Sequence, residues 1–318
     1  MAVDRKRVEL PADQAAERVD KLIVDALQLS RARAKKLFDE GLVRKNGKRV
    51  RKGDMAQGGD VLEVDLLPED AVVPSQVAPE PQPELALGIA YEDASVVVLD
   101  KPSSMPSHPL QPGERGTAAN FLVARFPECV AANPAAPREA GLVHRLDTET
   151  SGLLAAARTP EAHQALRAAF AARAVDKHYL AAVTGPLADE GEIELPVAHH
   201  PRDERKMIAL GSEDEALRLK AREARTSFRV LQRKGDASLL EVRIDTGVMH
   251  QIRVHLSAIG APILGDALYG GPPLPKLTRH FLHAAKLGFT SPAKGERVDV
   301  ESALPAELQD AWDALPSE

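Results

Sequence analysis

Five prolines between Pro68 and Pro83 (Pro68, Pro74, Pro79, Pro81 and Pro83), interleaved with Glu69, Asp70, Glu80 and Glu84, constrain the fold of this chain more than any other feature. Proline fixes φ and removes a backbone donor, so the stretch suits neither a helix interior nor a central strand. It reads as a stiff acidic linker. The chain of 318 residues then divides into a small segment, 15–67, the linker, 68–85, and a body, 86–318. That length accommodates one large domain plus a small one.

The two segments differ sharply in charge. Between Arg31 and Gly53 lie ten basic residues against Asp39 and Glu40, giving +8 for this stretch and −14 for the remainder, within an overall −6. A basic module on an acidic body points to a polyanion held at one place through phosphate contacts that release counterions. The bland alternative is a solvated charged face. The local pattern is organised. Val19, Leu22, Ile23 and Ala26 recur at helical spacing, and Ser30 is a fitting N-cap for a second helix, Arg31 to Glu40, closed by Gly41. Asn46-Gly47 is a hairpin turn signal, and Asp60 to Leu66 reads as a strand in which Val61 and Glu63 alternate with Leu62 and Val64. The candidate polyanion contacts Arg31, Arg33, Lys35 and Lys36 thus fall on one helix, and Arg44, Lys45, Lys48 and Arg49 on the hairpin that follows. Arg18-Val-Asp-Lys-Leu, Ser30-Arg-Ala-Arg-Ala-Lys-Lys-Leu and Gly41-Leu-Val-Arg-Lys-Asn-Gly together resemble the RNA-binding domain named after a small-subunit ribosomal protein.

In the body, Val96 to Leu99 reads as a buried strand, and Thr159 caps a helix with Pro160 at its first position. Leu240, Val242 and Ile244 alternate with polar residues, and Val248 to Ile259 reads as a helix ended by Gly260 and Pro262. Strands and helices do not alternate at βαβ spacing. The expected class is therefore α+β, with a mixed, mainly antiparallel central sheet flanked by helices.

The chemistry concentrates in Gly141 to Leu154, where apolar residues read as a strand lead into His144-Arg145-Leu146-Asp147 and Gly152 reopens an apolar strand. Taken alone, an Arg145–Asp147 pair is more often a structural ion pair than a site. The string Gly-Leu-x-His-Arg-Leu-Asp-x-x-Thr-Ser-Gly resembles the signature of the RluA-type pseudouridine synthases. Further segments agree in order: Leu99-Asp100-Lys101-Pro102 with His108-Pro109, Lys177-His-Tyr-Leu-Ala, Thr246 to Leu256, Gly260 to Asp266 with Tyr269-Gly-Gly, and Leu282-His283-Ala284. Two departures stand out: Ser103-Ser104 where the family usually has Ala-Gly, and Val248-Met249 where it commonly has Arg-Thr.

The resemblance implies an isomerase that breaks the bond from ribose to a uracil nitrogen and remakes it to a uracil carbon. It assigns Asp147 as the essential carboxylate, with attack on sugar, attack on base and proton abstraction all left open. Arg253 is implied as its cation, Tyr179 as the residue stacked on uracil with a hydroxyl that helps move the proton off carbon 5, and Leu282 as packing beneath the base. The base must leave the RNA stack, and Arg145 is the residue implied to fill the space. His144 is grouped with it at the substrate, as a hydrogen-bonding support. The expected substrate is large-subunit (23S) ribosomal RNA, with transfer RNA the alternative. A non-catalytic ribosome-assembly factor and a glycoside hydrolase using Glu149 are competing readings, and an intact Asp147, Tyr179 and Arg253 disfavour the first. The histidines lack zinc spacing and Cys129 is the sole cysteine, so no metal is expected; no phosphate-cradling or dinucleotide motif occurs, so no cofactor. With no long apolar run and a charged start, the expectation is a cytoplasmic monomer with no membrane partner.

Overall fold

The computed structural model describes residues 4–27, 29, 31–66 and 77–316, with the backbone but not the side chains of Arg31 and Ala32. The expected N-cap Ser30 and most of the linker therefore lie outside the described residues. The chain forms two compact units, Met1–Ala78 with Leu110–Pro112, and Pro79–Pro109 with Gly113–Glu318.

The small unit runs β1 (Asp4–Glu9), β2 (Glu17–Arg18), α1 (Val19–Leu27), α2 (Arg31–Asp39), β3 (Val43–Lys45), β4 (Lys48–Arg49), β5 (Met55–Ala56) and β6 (Val61–Leu66). Its main sheet has the order β1-β6-β3-β4, and β2 pairs with β5. Val19, Ile23, Leu37, Val43, Leu62 and Val64 are fully buried between helices and sheet, each contributing roughly 1.5–3 kcal/mol. The turn read from Asn46-Gly47 joins β3 to β4, with both residues at positive φ (51° and 76°). β1 lies outside the segment 15–67; its near-continuous run of charged residues hides a strand that only pairing with β6 reveals.

The large unit contains β7 (Gly88–Glu92), β8 (Val96–Lys101), α3 (Ala118–Arg125), α4 (Cys129–Ala132), β9 (Ser151–Ala157), α5 (Pro160–Ala171), β10 (Asp176–Thr184), β11 (Glu190–Ile193), β12 (Val197–His199), β13 (Met207–Ala209), α6 (Glu213–Arg218), β14 (Thr226–Lys234), β15 (Ala237–Ile244), α7 (Gln251–Ala258), β16 (Leu282–Thr290), β17 (Arg297–Glu301) and α8 (Ala306–Asp313). Nine strands form one sheet of order β11-β14-β15-β10-β16-β9-β8-β7, with β17 added beside β16. Every pairing is antiparallel except that of β9 with β16, where Ser151 meets His283 and Gly152 meets Ala284. This is the expected α+β class with a mixed, mainly antiparallel sheet. At the joint Gly152 has φ of +111°, and a Cβ there would sit 2.2 Å from the Ala284 carbonyl oxygen. Only glycine permits the two strands to approach so closely.

Three local expectations change. Residues 79–85, read as linker, belong to the large unit: Asn120 Nδ2 donates to the Glu80 carbonyl (2.8 Å), and the Gly116 N–H donates to Gln82 Oε1 (2.5 Å). Before Asp147 the chain makes no strand. Ala140 and Gly141 take left-handed φ (47° and 73°), and a single bridge joins Leu142 to Ala156. Helix α7 begins at Gln251 rather than Val248, because His250 is left-handed (φ 56°) and the Gln251 side chain folds back to accept from the Val248 N–H (3.1 Å). Among the described residues no helix is long and apolar enough to cross a membrane.

Candidate active site

Asp147 begins a turn closed by the Thr150 N–H donating to its carbonyl (3.0 Å), and almost every neighbour on that turn is tied down by a buried polar group. The Ser107 hydroxyl accepts from the Leu146 N–H (3.0 Å) and donates to the Leu146 carbonyl (2.9 Å). Lys101 is 1% exposed. Its ammonium donates to the carbonyls of Pro102, Met105 and Thr148 at 2.8–3.1 Å, three acceptors for three hydrogens. Burial, and then the Arg279 charge, push its pKa down to about 7. Arg279, also buried, donates to the carbonyls of Glu149 (3.0 Å) and Leu282 (3.1 Å), to Ser151 Oγ (3.0 Å) and to Glu307 (2.9 Å). Thr150 Oγ1 pairs with His280 Nε2 (2.8 Å), and Ser151 Oγ with His283 Nδ1 (3.0 Å). A loop that would otherwise be mobile is thereby fixed around one carboxylate.

That carboxylate faces Arg253 from α7. Arg253 Nη1 donates to Asp147 Oδ2 (3.0 Å), while its Nε and Nη2 form a fork onto both oxygens of Asp266 (2.7 and 2.9 Å). The Asp266 side chain is 1% exposed and that of Asp147 is 21%. One arginine thus has a closed partner that fixes it and an open one that meets the cleft. The guanidinium also lies over the Tyr269 ring, 5.1 Å from its centroid. The Tyr269 hydroxyl accepts from the Met207 N–H (2.8 Å) and pairs with His250 Nδ1 (2.9 Å). His250 Nε2 lies 3.6 Å from Asp147 Oδ2. Burial lowers the His250 pKa, keeping the ring neutral.

The cleft in front of Asp147 has a volume of about 550 Å³ and gathers Asp147, Arg145, His144, Tyr179, Arg253 and Leu282, within the size range of small-molecule sites. Tyr179 on β10 is buried, and burial followed by the Asp147 charge raises its phenol well above the usual range. It meets the cleft as a protonated phenol. Leu282, at the start of β16, is buried in the same apolar cluster. Arg145 is exposed and free of hydrogen bonds and ion pairs among the described residues. His144 Nε2 accepts from the Ala155 N–H (3.0 Å), its ring stacks on Phe170 at 5.1 Å, and burial pushes its pKa down to about 3. His144 is built as a neutral support.

In the small unit, Lys35, Lys36, Lys48 and Arg49 are exposed, with Lys36 3.6 Å from Glu40. Arg44 instead turns to Asp65 (2.5 Å), which it shares with Arg5, and Lys45 donates to the Met55 carbonyl (2.8 Å). The charge of Arg44 is thus met inside the unit. Arg33 is half-buried, and the Arg31 side chain lies outside the described residues.

Sequence reasoning left Asp266, Tyr269, Lys101 and Arg279 without roles. Asp266 and Tyr269 sit in matched motifs and could have been flagged there; Lys101 closes an apolar strand, where a charge needs a partner. The two departures resolve structurally. Ser104 takes the left-handed φ (59°) that glycine would adopt freely, and its hydroxyl donates to Glu149 (3.0 Å). Val248 packs with Val197, Met207, Ala224 and Val254, and with Met249 gives the cleft an apolar stretch of wall where the family has a charge.

The family of RNA pseudouridylate synthases matches residues 95–258. An uncharacterized RNA pseudouridine synthase of Chloroflexus aurantiacus is 38% identical, over 97% of this chain and 93% of its own. The ribosomal large subunit pseudouridine synthase D of Xanthomonas campestris is 35% identical, over 98% and 92%. Among solved structures, human RNA pseudouridylate synthase domain containing 1 superposes with a TM-score of 0.54 at 26% identity, covering 75% of this chain and 99% of that one. With that likeness running nearly end to end, and a lone open carboxylate paired to a clamped arginine at its centre, the chain belongs to the RNA pseudouridylate synthase family, isomerases that convert uridine in RNA to pseudouridine.

Proposed function

We propose that this protein isomerises uridine in large-subunit ribosomal RNA, with Asp147 as the group that acts on the flipped-out nucleotide. The observation that carries this reading is the pairing of Asp147 with Arg253 at the cleft, with Asp266 closing the far side of the arginine. A fixed carboxylate beside an electron-poor sugar is what breaking a glycosidic bond without redox chemistry calls for. Tyr179 and Leu282 form the walls against uracil, Tyr179 donating from its protonated hydroxyl. The unpaired Arg145 guanidinium is placed to stack where the base has left. The choice of ribosomal RNA rests on relatives named ribosomal large subunit pseudouridine synthase D. Ribosomal RNA transcribed with tritium at uridine carbon 5 tests it: the wild type should release label to water, and Asp147→Ala should release none. Release by the wild type from transfer RNA alone would overturn the substrate, and release by Asp147→Ala would overturn the role.

The small basic unit is proposed as the anchor on folded RNA, through Lys35, Lys36, Lys48 and Arg49. Replacing all four by glutamine should make the slope of log affinity against log salt less negative, by roughly 0.7–0.9 for each phosphate no longer neutralised. An unchanged slope in filter-binding measurements would remove that unit from RNA recognition. The protein is proposed to act as a monomer in the cytoplasm.

A further inference from the structure

The cleft carries more positive charge than the chemistry at Asp147 uses. Its lining includes Arg145, Arg167, Lys177, Arg222 and Arg253 but a single carboxylate, Asp147. Arg253 is answered by Asp147 and Asp266. The others are not answered by any acid of the lining. Arg167 Nη1 donates to the Val143 carbonyl (3.0 Å) and Lys177 Nζ to the Thr246 carbonyl (3.0 Å), bonds that orient a cation without neutralising it. Arg222 is exposed and free of ion pairs among the described residues. Of the carboxylates nearby, Glu223 pairs with Arg173 (3.3 Å) and Asp245 with Arg243 (3.5 Å); the Asp245 charge also acts on Lys177, but from beyond ion-pair distance.

Lys177 is unusual among these cations because it is 6% exposed. It lies two residues before Tyr179 on β10, so both side chains leave the same face of the strand, roughly 7 Å apart. Burial draws its pKa down to about 8. A cation stripped of water attracts an anion more strongly than one in bulk solvent. Arg167 from α5 and Arg222 from the segment before β14 line the same cleft. In a nucleotide a ribose alone separates base from phosphate, so a uridine whose base faces Tyr179 brings a phosphodiester within reach of this arm.

We infer that Lys177, Arg167 and Arg222 form a phosphate subsite that grips the backbone beside the target uridine, with Lys177 as its desolvated anchor. The inference rests on the isomerase reading for the identity of the ligand. Its role is to hold the sugar-phosphate in register while the detached base turns, so that the new bond forms on the same ribose. Lys177 is otherwise a brace for Thr246, resting on the Phe170 ring (5.6 Å), and the two roles predict different binding.

The test compares uridine with uridine 3′,5′-bisphosphate in calorimetric titrations of the intact protein. A subsite for phosphate gives the bisphosphate an advantage of roughly tenfold or more, shrinking between about 50 and about 200 mM salt. The advantage should fall below about threefold in Lys177→Met and in Arg222→Gln, and should largely return in Lys177→Arg. Arg222→Gln removes no ion pair, so it keeps the test decisive if Lys177→Met does not fold. No advantage in the wild type, or one that survives in Arg222→Gln and in a folded Lys177→Met, overturns the inference. Because the titration reads binding and not turnover, tritium release from ribosomal RNA by the same wild-type sample judges the isomerase reading separately.

Discussion

Arg253 directs three of its five N–H donors at two carboxylates, and the asymmetry between those partners explains the division of labour at the site. Asp266 is sealed and takes the fork, so it sets where the guanidinium sits; Asp147 takes one bond and keeps an oxygen for substrate. Removing the sealed partner leaves a buried cation half-answered. Asp266→Asn is therefore expected to lower kcat by about a hundredfold, leave KM within a few-fold, and cost on the order of 3 kcal/mol in urea unfolding. A variant with normal kcat would show that Arg253 needs no second anchor. The residues near Asp147 are readable as a motif because side-chain identity repeats there. Asp266 stands at a motif position without an evident role, since it meets Arg253 only after the chain turns past the end of α7. Lys101 and Arg279 are harder still. They bind carbonyl oxygens, and a carbonyl has no letter in a sequence.

At the scale of elements, the parallel joint of β9 and β16 joins two parts of the site. The Asp147 turn feeds directly into β9, and Leu282 opens β16. Gly152 is the point of closest approach, with the Ala284 backbone where a side chain would be. Gly152→Ala should destabilise the protein by about 3 kcal/mol and reduce turnover with it, since any relief moves Asp147 away from Leu282. Thermal melting together with tritium release checks this; full activity at an unchanged melting temperature would mean that the joint opens freely enough to admit a methyl group. Periodicity makes much of the element content legible: α5 with Thr159 as its cap, β15 with Leu240, Val242 and Ile244 inward, and the turn at Asn46-Gly47. It fails where local pattern is overruled by pairing or by a turn. β1 is a strand only because β6 lies beside it, and the apolar Leu142-Val143 belongs to a turn set by left-handed Ala140 and Gly141.

For the molecule as a whole, seven histidines (His108, His144, His163, His250, His255, His280 and His283) have pKa values lowered chiefly by burial. His280, bonded to Thr150, falls from 6.5 to about 4. Such a ring is neutral when folded, while the unfolded chain takes up a proton below its ordinary pKa. The stability this contributes is complete above about pH 7 and is lost as pH falls from 6.5 towards 4, at up to about 1.4 kcal/mol per pH unit for each fully buried ring. That window lies above the ordinary carboxylate range, so acid unfolding should begin there. Urea midpoints at pH 7, 6 and 5 should decline in order; a flat series would mean the buried rings are protonated without cost.

The anchors of the catalytic turn come from Lys101, Ser107, Arg279, His280 and His283, positions spread across most of the large unit. None of these bonds can form before strands far apart in the chain have met, and long-range closure is the slow part of folding. A refolding chain thus acquires its catalytic geometry late, and returning activity reports that β8, β9 and β16 have come together, not the arrival of any one of them.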